Sequence, residues 1–253
     1  MKTLLMDVGN TLIKIATVGD DKIISQWPVI NTKGKDTKML LTIAFKTHHQ
    51  LTIDNAIISC VVPSYLSLLK TLVRTTFHCQ LAILNYQLIA HAPLKIKLNN
   101  PQLGSDLMAL AIGATAKYES VIVISLGTAT TYTIIKNNTL VGVIIGPGIS
   151  VSKNSLIANA ALLSDFKIEH YASMLGTTTL HALSIGYGYG FNAMIKGTVN
   201  QINQELQTIL PVVVTGGGGG EELKSYFDFN YDDEPQILLN GLFIISQHLL
   251  ANK

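Results

Sequence analysis

Leu4-Leu5-Met6-Asp7-Val8-Gly9-Asn10-Thr11-Leu12-Ile13-Lys14 is the stretch on which the fold is decided. An apolar run ends on a carboxylate and bends at a glycine. It then resumes with Ile13, Ile15 and Val18 interleaved with Lys14 and Thr17. Alternation on the far side of a glycine turn predicts two strands joined back to back. Gly19-Asp20-Asp21-Lys22 turns into a third strand, Ile23–Val29. A helix over Lys35–Thr47, a buried strand over Ala56–Val62, a helix opened by Pro63 and a strand at Leu81–Leu84 complete the order βββαβαβ.

The same stretch returns near the middle of the chain. Residues 4–18 can be laid on 122–136, so that Asp7 falls on Ser125, Gly9 on Gly127, Asn10 on Thr128 and Thr11 on Ala129. Strands at Val121–Ile124, Ala129–Ile135 and Leu140–Ile145 follow the earlier order. Behind them come a helical region over Thr177–Gln207, a strand at Val212–Val214 and a closing helix over Gln236–Ala251. Strand–turn–strand is common enough to recur by chance. The matching order of elements behind both copies favours duplication, and predicts two similar α/β domains, 1–117 and 118–253, facing one another.

Composition sets the class. The chain has 253 residues, 48% hydrophobic and only 13% charged, which excludes intrinsic disorder. The apolar excess suits a buried subunit contact. It does not suit a membrane span, because runs such as Leu140–Ile149 are broken by Gly142, Gly146, Pro147 and Gly148. A net charge of +2 gives no reason to expect a nucleic-acid or anionic membrane partner. Met1–Met6 is too short an apolar start for a signal peptide before Asp7 interrupts it. Cys60 and Cys79 make neither a disulfide framework nor a zinc site, so the cytosol is the expected compartment. Arg74 is the one arginine. A phosphate bound here must therefore be held mainly by backbone N–H groups, a metal or lysine.

A carboxylate at a strand end followed by a glycine turn suits a hydrated Mg²⁺ with phosphate oxygens facing the turn. Asn10, Thr11 and Lys14 add donors, while an ordinary hairpin is the competing reading of Asp7–Thr11. Ser125-Leu126-Gly127-Thr128-Ala129-Thr130-Thr131 repeats the turn with hydroxyls, or is simply a threonine-rich strand. Gly216–Gly220 lies between a strand and a helix, as a platform for a purine or ribose or as a linker. No Gly-x4-Gly-Lys-Ser/Thr segment occurs, which excludes a Walker loop, and Gly186, Gly188 and Gly190 are read as helix-packing positions. Asp106 is the only acidic residue between Asp54 and Glu119. It is either a helix N-cap or a general base accepting a proton from an attacking hydroxyl. The histidines lack metal-ligand spacing; His181 is expected on a helix surface, and Cys60, within Ile57–Val62, as a buried strand residue.

The combination resembles the type III pantothenate kinases. Asp-x-Gly-Asn-Thr-x-x-Lys at 7–14, Asn-Pro-x-Leu-Gly-Ser-Asp at 100–106 and Gly-Thr-Ala-Thr-Thr at 127–131 carry the likeness. Gly142–Gly148, Gly176–Thr179 and Thr215-Gly216-Gly217 follow in order. The resemblance implies a member of the sugar kinase–actin superfamily, with two ribonuclease H-like domains facing across a nucleotide cleft. It implies ATP-dependent phosphorylation of pantothenate in coenzyme A synthesis by a cytoplasmic homodimer using Mg²⁺. ATP would be bound by Asp7, Val8, Gly9, Asn10, Thr11, Leu12, Ile13, Lys14 and Thr128, with Asp7 holding Mg²⁺ through water. Pantothenate would be bound by Gly104, Ser105, Asp106, Leu107 and Thr179, with Asp106 as proton acceptor.

Three departures accompany the likeness. Leu107 stands where the family usually has an arginine, and loss of such a charge-assisted contact costs about 1.5–3 kcal/mol, roughly ten- to a hundred-fold. Ser125 stands where many members bind K⁺ or NH4⁺ through an aspartate. No aromatic residue lies next to Leu98, upstream of Asn100-Pro101. These departures motivate an alternative, a catalytically weakened relative that binds nucleotide or pantothenate as a regulatory protein. A third reading keeps the fold with another small hydroxy compound as acceptor.

Overall fold

The computed structural model describes residues 1–20, 22–98, 102–217 and 220–251. The chain forms two compact units. One comprises Met1–Glu119, Ile135–Val141 and Gln236–Lys253, the other Ser120–Ile134 and Gly142–Pro235.

The first unit opens with β1 (Lys2–Val8), β2 (Leu12–Gly19), β3 (Lys22–Gln26) and the short β4 (Ile30–Asn31). α1 (Thr37–Thr47), β5 (Asn55–Cys60), α2 (Pro63–Phe77), β6 (Gln80–Ile83), β7 (Lys95–Ile96) and α3 (Ser105–Ala114) follow. β1 pairs antiparallel with β2 and parallel with β5, and the sheet runs β3-β2-β1-β5-β6 with β4 beside β2. Period-two alternation divides the inner strands. Leu4, Met6, Val8 and Ile58 pack with Leu41, Phe45, Leu69 and Val73 of α1 and α2. Trp27 closes this layer, edge-on to Phe45 at 5.3 Å. Leu5, Asp7, Ile57 and Ser59 point to the opposite face.

The second unit contains β8 (Val121–Leu126), β9 (Ala129–Lys136), β10 (Thr139–Pro147), α4 (Ile149–Asn159), α5 (Thr179–Leu206), β11 (Val212–Gly216), α6 (Gly220–Lys224) and β12 (Asp232–Asp233). The residues at the tips of β9 and β10 count with the first unit. The strand order is β12-β11-β8-β9-β10, with β7 alongside the start of β10. With β4 and β7 set aside, both sheets follow one plan, third-second-first-fourth-fifth by position in their own half, and the expected duplication is present. Thr178 caps α5 by accepting the His181 N–H at 3.2 Å. Of the three glycines assigned to helix packing, Gly188 does so, since a Cβ there would run into the Tyr226 ring. Gly186 and Gly190 face open space.

The chain then returns to the first unit as α7 (Ile237–Ala251), which packs on α3, β1 and β5. This differs from the expected boundary, which assigned the closing helix to residues 118–253. A Cβ on Gly113 would strike the Ile237 carbonyl, and one on Gly241 the Ala109 carbonyl. α3 and α7 thus cross backbone to backbone, which only glycine permits. α4 is an element the sequence reading did not anticipate. Among the described residues no helix is long and apolar enough to cross a membrane.

Candidate functional site

In each unit the glycine turn follows the strand that pairs with parallel neighbours. In open α/β sheets the carboxyl ends of such strands are where ligands collect. In the first unit β1 delivers Asp7 to that edge. Its cross-strand partner on β2 is Lys14, and its parallel partner on β5 is Ser59. Gly9 N–H donates to the Leu12 carbonyl at 3.0 Å, closing the turn. Thr32 holds the turn from outside, its Oγ1 donating to the Gly9 carbonyl at 2.9 Å and its N–H to the Thr11 carbonyl at 2.8 Å. Val8 and Ile13 lie in the apolar core, so any contact they make with ATP is through their backbone. Asp7, Asn10, Thr11 and Lys14 are left as the polar side chains of the 7–14 stretch.

Asp7 is buried, and its Oδ1 has no hydrogen-bond partner. Burial, and next the charge of Asp106, push its pKa up to about 7, against a pull downward from Lys14. An orphaned, solvent-poor carboxylate oxygen at a phosphate-sized turn fits a hydrated Mg²⁺, a hard cation that takes oxygen ligands. No cluster of three or more His, Cys, Asp or Glu side chains able to hold a metal occurs among the described residues. An ion held through water by one carboxylate needs no such cluster.

Asp106 is the second residue of α3, not its N-cap; Gly104 occupies that position. A Cβ on Gly104 would collide with Asp106 Oδ1, so the carboxylate folds back over bare backbone. The same oxygen accepts the Leu107 N–H at 2.9 Å. Burial raises the Asp106 pKa, and the backbone N–H groups hold it down. Ser105 is buried and bonded to β5. Leu107 is buried as well. The charge of Asp106 thus bears on Asp7, far away in sequence. Cys60 is a strand residue as expected, the last of β5, but half-buried rather than buried, with its thiol pushed up by burial. Asn100 and Pro101 lie outside the described residues. Tyr86 Oη donates to the Leu98 carbonyl at 3.1 Å, which brings a ring from elsewhere in the chain to that segment.

The second unit places Ser125, half-buried, at the end of β8 and Thr128, exposed, at the tip of the next turn. Gly127 N–H donates to the Ala129 carbonyl at 3.0 Å. Gly148 N–H reaches the Thr128 carbonyl at 3.2 Å, which sets the start of α4 against the turn. A Cβ on Gly148 would overlap the Gly127 and Thr128 carbonyls. Gly216, at φ +119°, packs on the Leu126 carbonyl, which also accepts the Gly217 N–H at 3.1 Å. Gly218 lies outside the described residues. Ser125 pairs in register with Thr215, and neither side chain carries charge. A neutral hydroxyl there attracts K⁺ or NH4⁺ less than a carboxylate would.

Thr179 begins α5 beside a cleft of about 480 Å³, lined also by Leu162, Phe166, Lys167, Glu169 and Leu183. His181, expected on the helix surface, is buried. Its Nδ1 accepts the Thr177 N–H at 3.4 Å, its Nε2 bonds the Ser173 carbonyl at 2.8 Å, and the ring stacks on Tyr171 at 4.1 Å. It fastens the segment that precedes Thr179.

Residues 3–201 match the family model described as type III pantothenate kinase. A type III pantothenate kinase of Roseiflexus sp. is 32% identical over 96% of this chain and 97% of its own length. One of Ehrlichia ruminantium is 30% identical over 99% and 100%. Among solved structures, component A of (R)-2-hydroxyglutaryl-CoA dehydratase from Acidaminococcus fermentans superposes with a TM-score of 0.55 at 14% identity, covering 100% of both chains. At that identity the likeness is one of fold.

Proposed function

This chain belongs to the type III pantothenate kinase family and phosphorylates pantothenate with ATP, and from that premise we propose that Asp106 is the proton acceptor of the reaction. The reaction yields 4'-phosphopantothenate and opens coenzyme A synthesis. The observation that supports the assignment is the meeting of two carboxylates in one unit. Asp106 lies folded back at the start of α3, and Asp7, next to last in β1, is within reach of its charge.

Asp106 takes the proton of the pantothenate terminal hydroxyl. The hydroxyl oxygen bonds to the γ-phosphorus, and the bond from that phosphorus to the β,γ-bridging oxygen breaks, releasing ADP. Gly104, Ser105 and Leu107 line the acceptor in the first unit, and the turn after β1 offers backbone N–H groups to the phosphates, except that of Gly9, which is spent on the Leu12 carbonyl. Lys14 supplies the positive charge on the first turn. Asp7 would hold Mg²⁺ through water, and the ion would supply positive charge against the phosphates.

The enzyme acts as a homodimer in the cytoplasm. Apolar side chains exposed on the second unit, Ile145, Leu162 and Leu175 among them, support the first statement. The free thiols of Cys60 and Cys79 support the second. No observation favours the non-catalytic alternative raised by Leu107 and Ser125.

The test is ADP release by the purified protein with and without pantothenate. Wild type releases ADP only with pantothenate. Asp106→Asn lowers kcat by about 10²- to 10⁴-fold with ATP affinity nearly unchanged. Turnover by Asp106→Asn at the wild-type rate would remove Asp106 from the chemistry.

A further inference from the structure

Ser59 sits at the carboxyl end of β5 with no exposed surface, in register with Asp7. Its Oγ lies 2.9 Å from Ser105 Oγ. Ser105 Oγ also accepts the Cys60 N–H at 3.0 Å. Ser105 and Asp106 are the first two residues of α3, and the N-cap, Gly104, has no side chain with which to tie down the helix start. The hydroxyl pair and the Cys60 bond therefore clamp the first turn of α3 to the sheet edge that carries Asp7. A serine hydroxyl buried at a strand end is costly unless bonded, and this one is spent on the residue next to Asp106.

We infer that Ser59 is a positioning residue for the phosphoryl transfer, acting through Ser105 to fix Asp106 relative to Asp7. The inference rests on Asp106 being the proton acceptor. Small displacements of a general base are costly because the reacting atoms must stay within hydrogen-bond reach. The effect belongs in kcat. ATP binding, which draws on the turn after β1, is left alone.

Four variants test this: Ser59→Ala, Ser105→Ala, the double variant and Asp106→Asn, each read for kcat, KM for ATP and Tm. Ser59→Ala is expected to lower kcat about tenfold, the worth of one hydrogen bond, with KM for ATP within about twofold. Because Ser59 acts through Ser105, the double variant falls no further than the worse single variant. Ser59→Cys, close in size but a weak hydrogen-bond partner, shows the same loss, and serves if the alanine variant folds poorly. Ile57→Val, on the same strand and face, lowers Tm without lowering kcat. Wild-type kcat in Ser59→Ala beside an inactive Asp106→Asn overturns the role of Ser59 alone, as do losses that multiply in the double variant. An active Asp106→Asn overturns the base assignment, and this inference with it.

Discussion

Asp7 carries a charge that the folded chain solvates poorly, and this has a measurable pH signature. Its pKa is about 7 in the folded protein against the usual 3.8. Between those values the folded state holds a proton that the unfolded chain has released. Stability therefore falls as pH rises from about 4 to about 7, and levels off above. Asp7→Asn removes the penalty. Melts at about pH 5 and pH 8 should show the variant gaining on wild type at the higher pH, by of order 2 kcal/mol, while losing Mg-dependent ATP binding. Parallel pH profiles for the two proteins would contradict this origin of the shift. Asp106→Asn takes away the like charge, so its falling limb moves to lower pH. Leu107 makes a second point at this scale. It is buried on α3, with an apolar side chain where the family resemblance led to the expectation of a guanidinium. Leu107→Arg is expected to cost about 2 kcal/mol or more of stability by burying an unpaired cation, and to leave kcat no higher than wild type. A Leu107→Arg enzyme faster than wild type and equally stable would show that the site still awaits that charge.

The crossing of α3 and α7 shows what single elements reveal in sequence and what they withhold. Gly113 and Gly241 are each pressed against a carbonyl of the facing helix. Alanine at either position forces the helices apart, at a cost of at least about 2 kcal/mol, seen as a fall in Tm and in the denaturant midpoint. Because Asp106 rides on α3, kcat should fall as well. Unchanged Tm in Gly241→Ala would mean the helices have slack. The helix itself was legible, since Ile237–Ala251 is apolar almost throughout. Its destination was not: a helix apolar all round is buried, but its sequence does not say against what. α4 was missed for the opposite reason. Only Ile149 of that helix is buried, so its polar residues carry no stripe for periodicity to detect. Its one local cue is Pro147-Gly148 just before it. The glycine turns after β1 and β8 were legible because a strand end, a glycine and a polar group lie within five residues. Thr32, which braces the first turn, and His181, which is buried by residues 171–177 folding onto it, depend on contacts that no local pattern encodes.

At the scale of the whole molecule, the apolar excess of the composition has a location. In the second unit Leu162 is 98% exposed, Leu175 79% and Ile145 64%, and α4 leaves Val151 and Leu156 uncovered. Isolated apolar side chains on a surface need no explanation. Here they recur along residues 144–175, and a helix with one buried residue has little reason to form on the contacts of its own chain. In the proposed homodimer a second copy of the chain would supply that reason, since symmetric pairing buries one patch against its equal. Light scattering should then give twice the 27.4 kDa chain mass at micromolar concentration. Leu162→Glu combined with Ile145→Glu should shift the equilibrium toward monomer by at least tenfold in Kd, because each buried apolar side chain is worth about 1.5–3 kcal/mol. Leu162 also lines the cleft beside Thr179. The double variant should therefore lose affinity for pantothenate well before affinity for ATP, which separates a damaged acceptor site from a damaged fold. A wild-type monomer, or a dimer indifferent to both glutamates, would move the interface elsewhere and leave the exposed stretch without a partner.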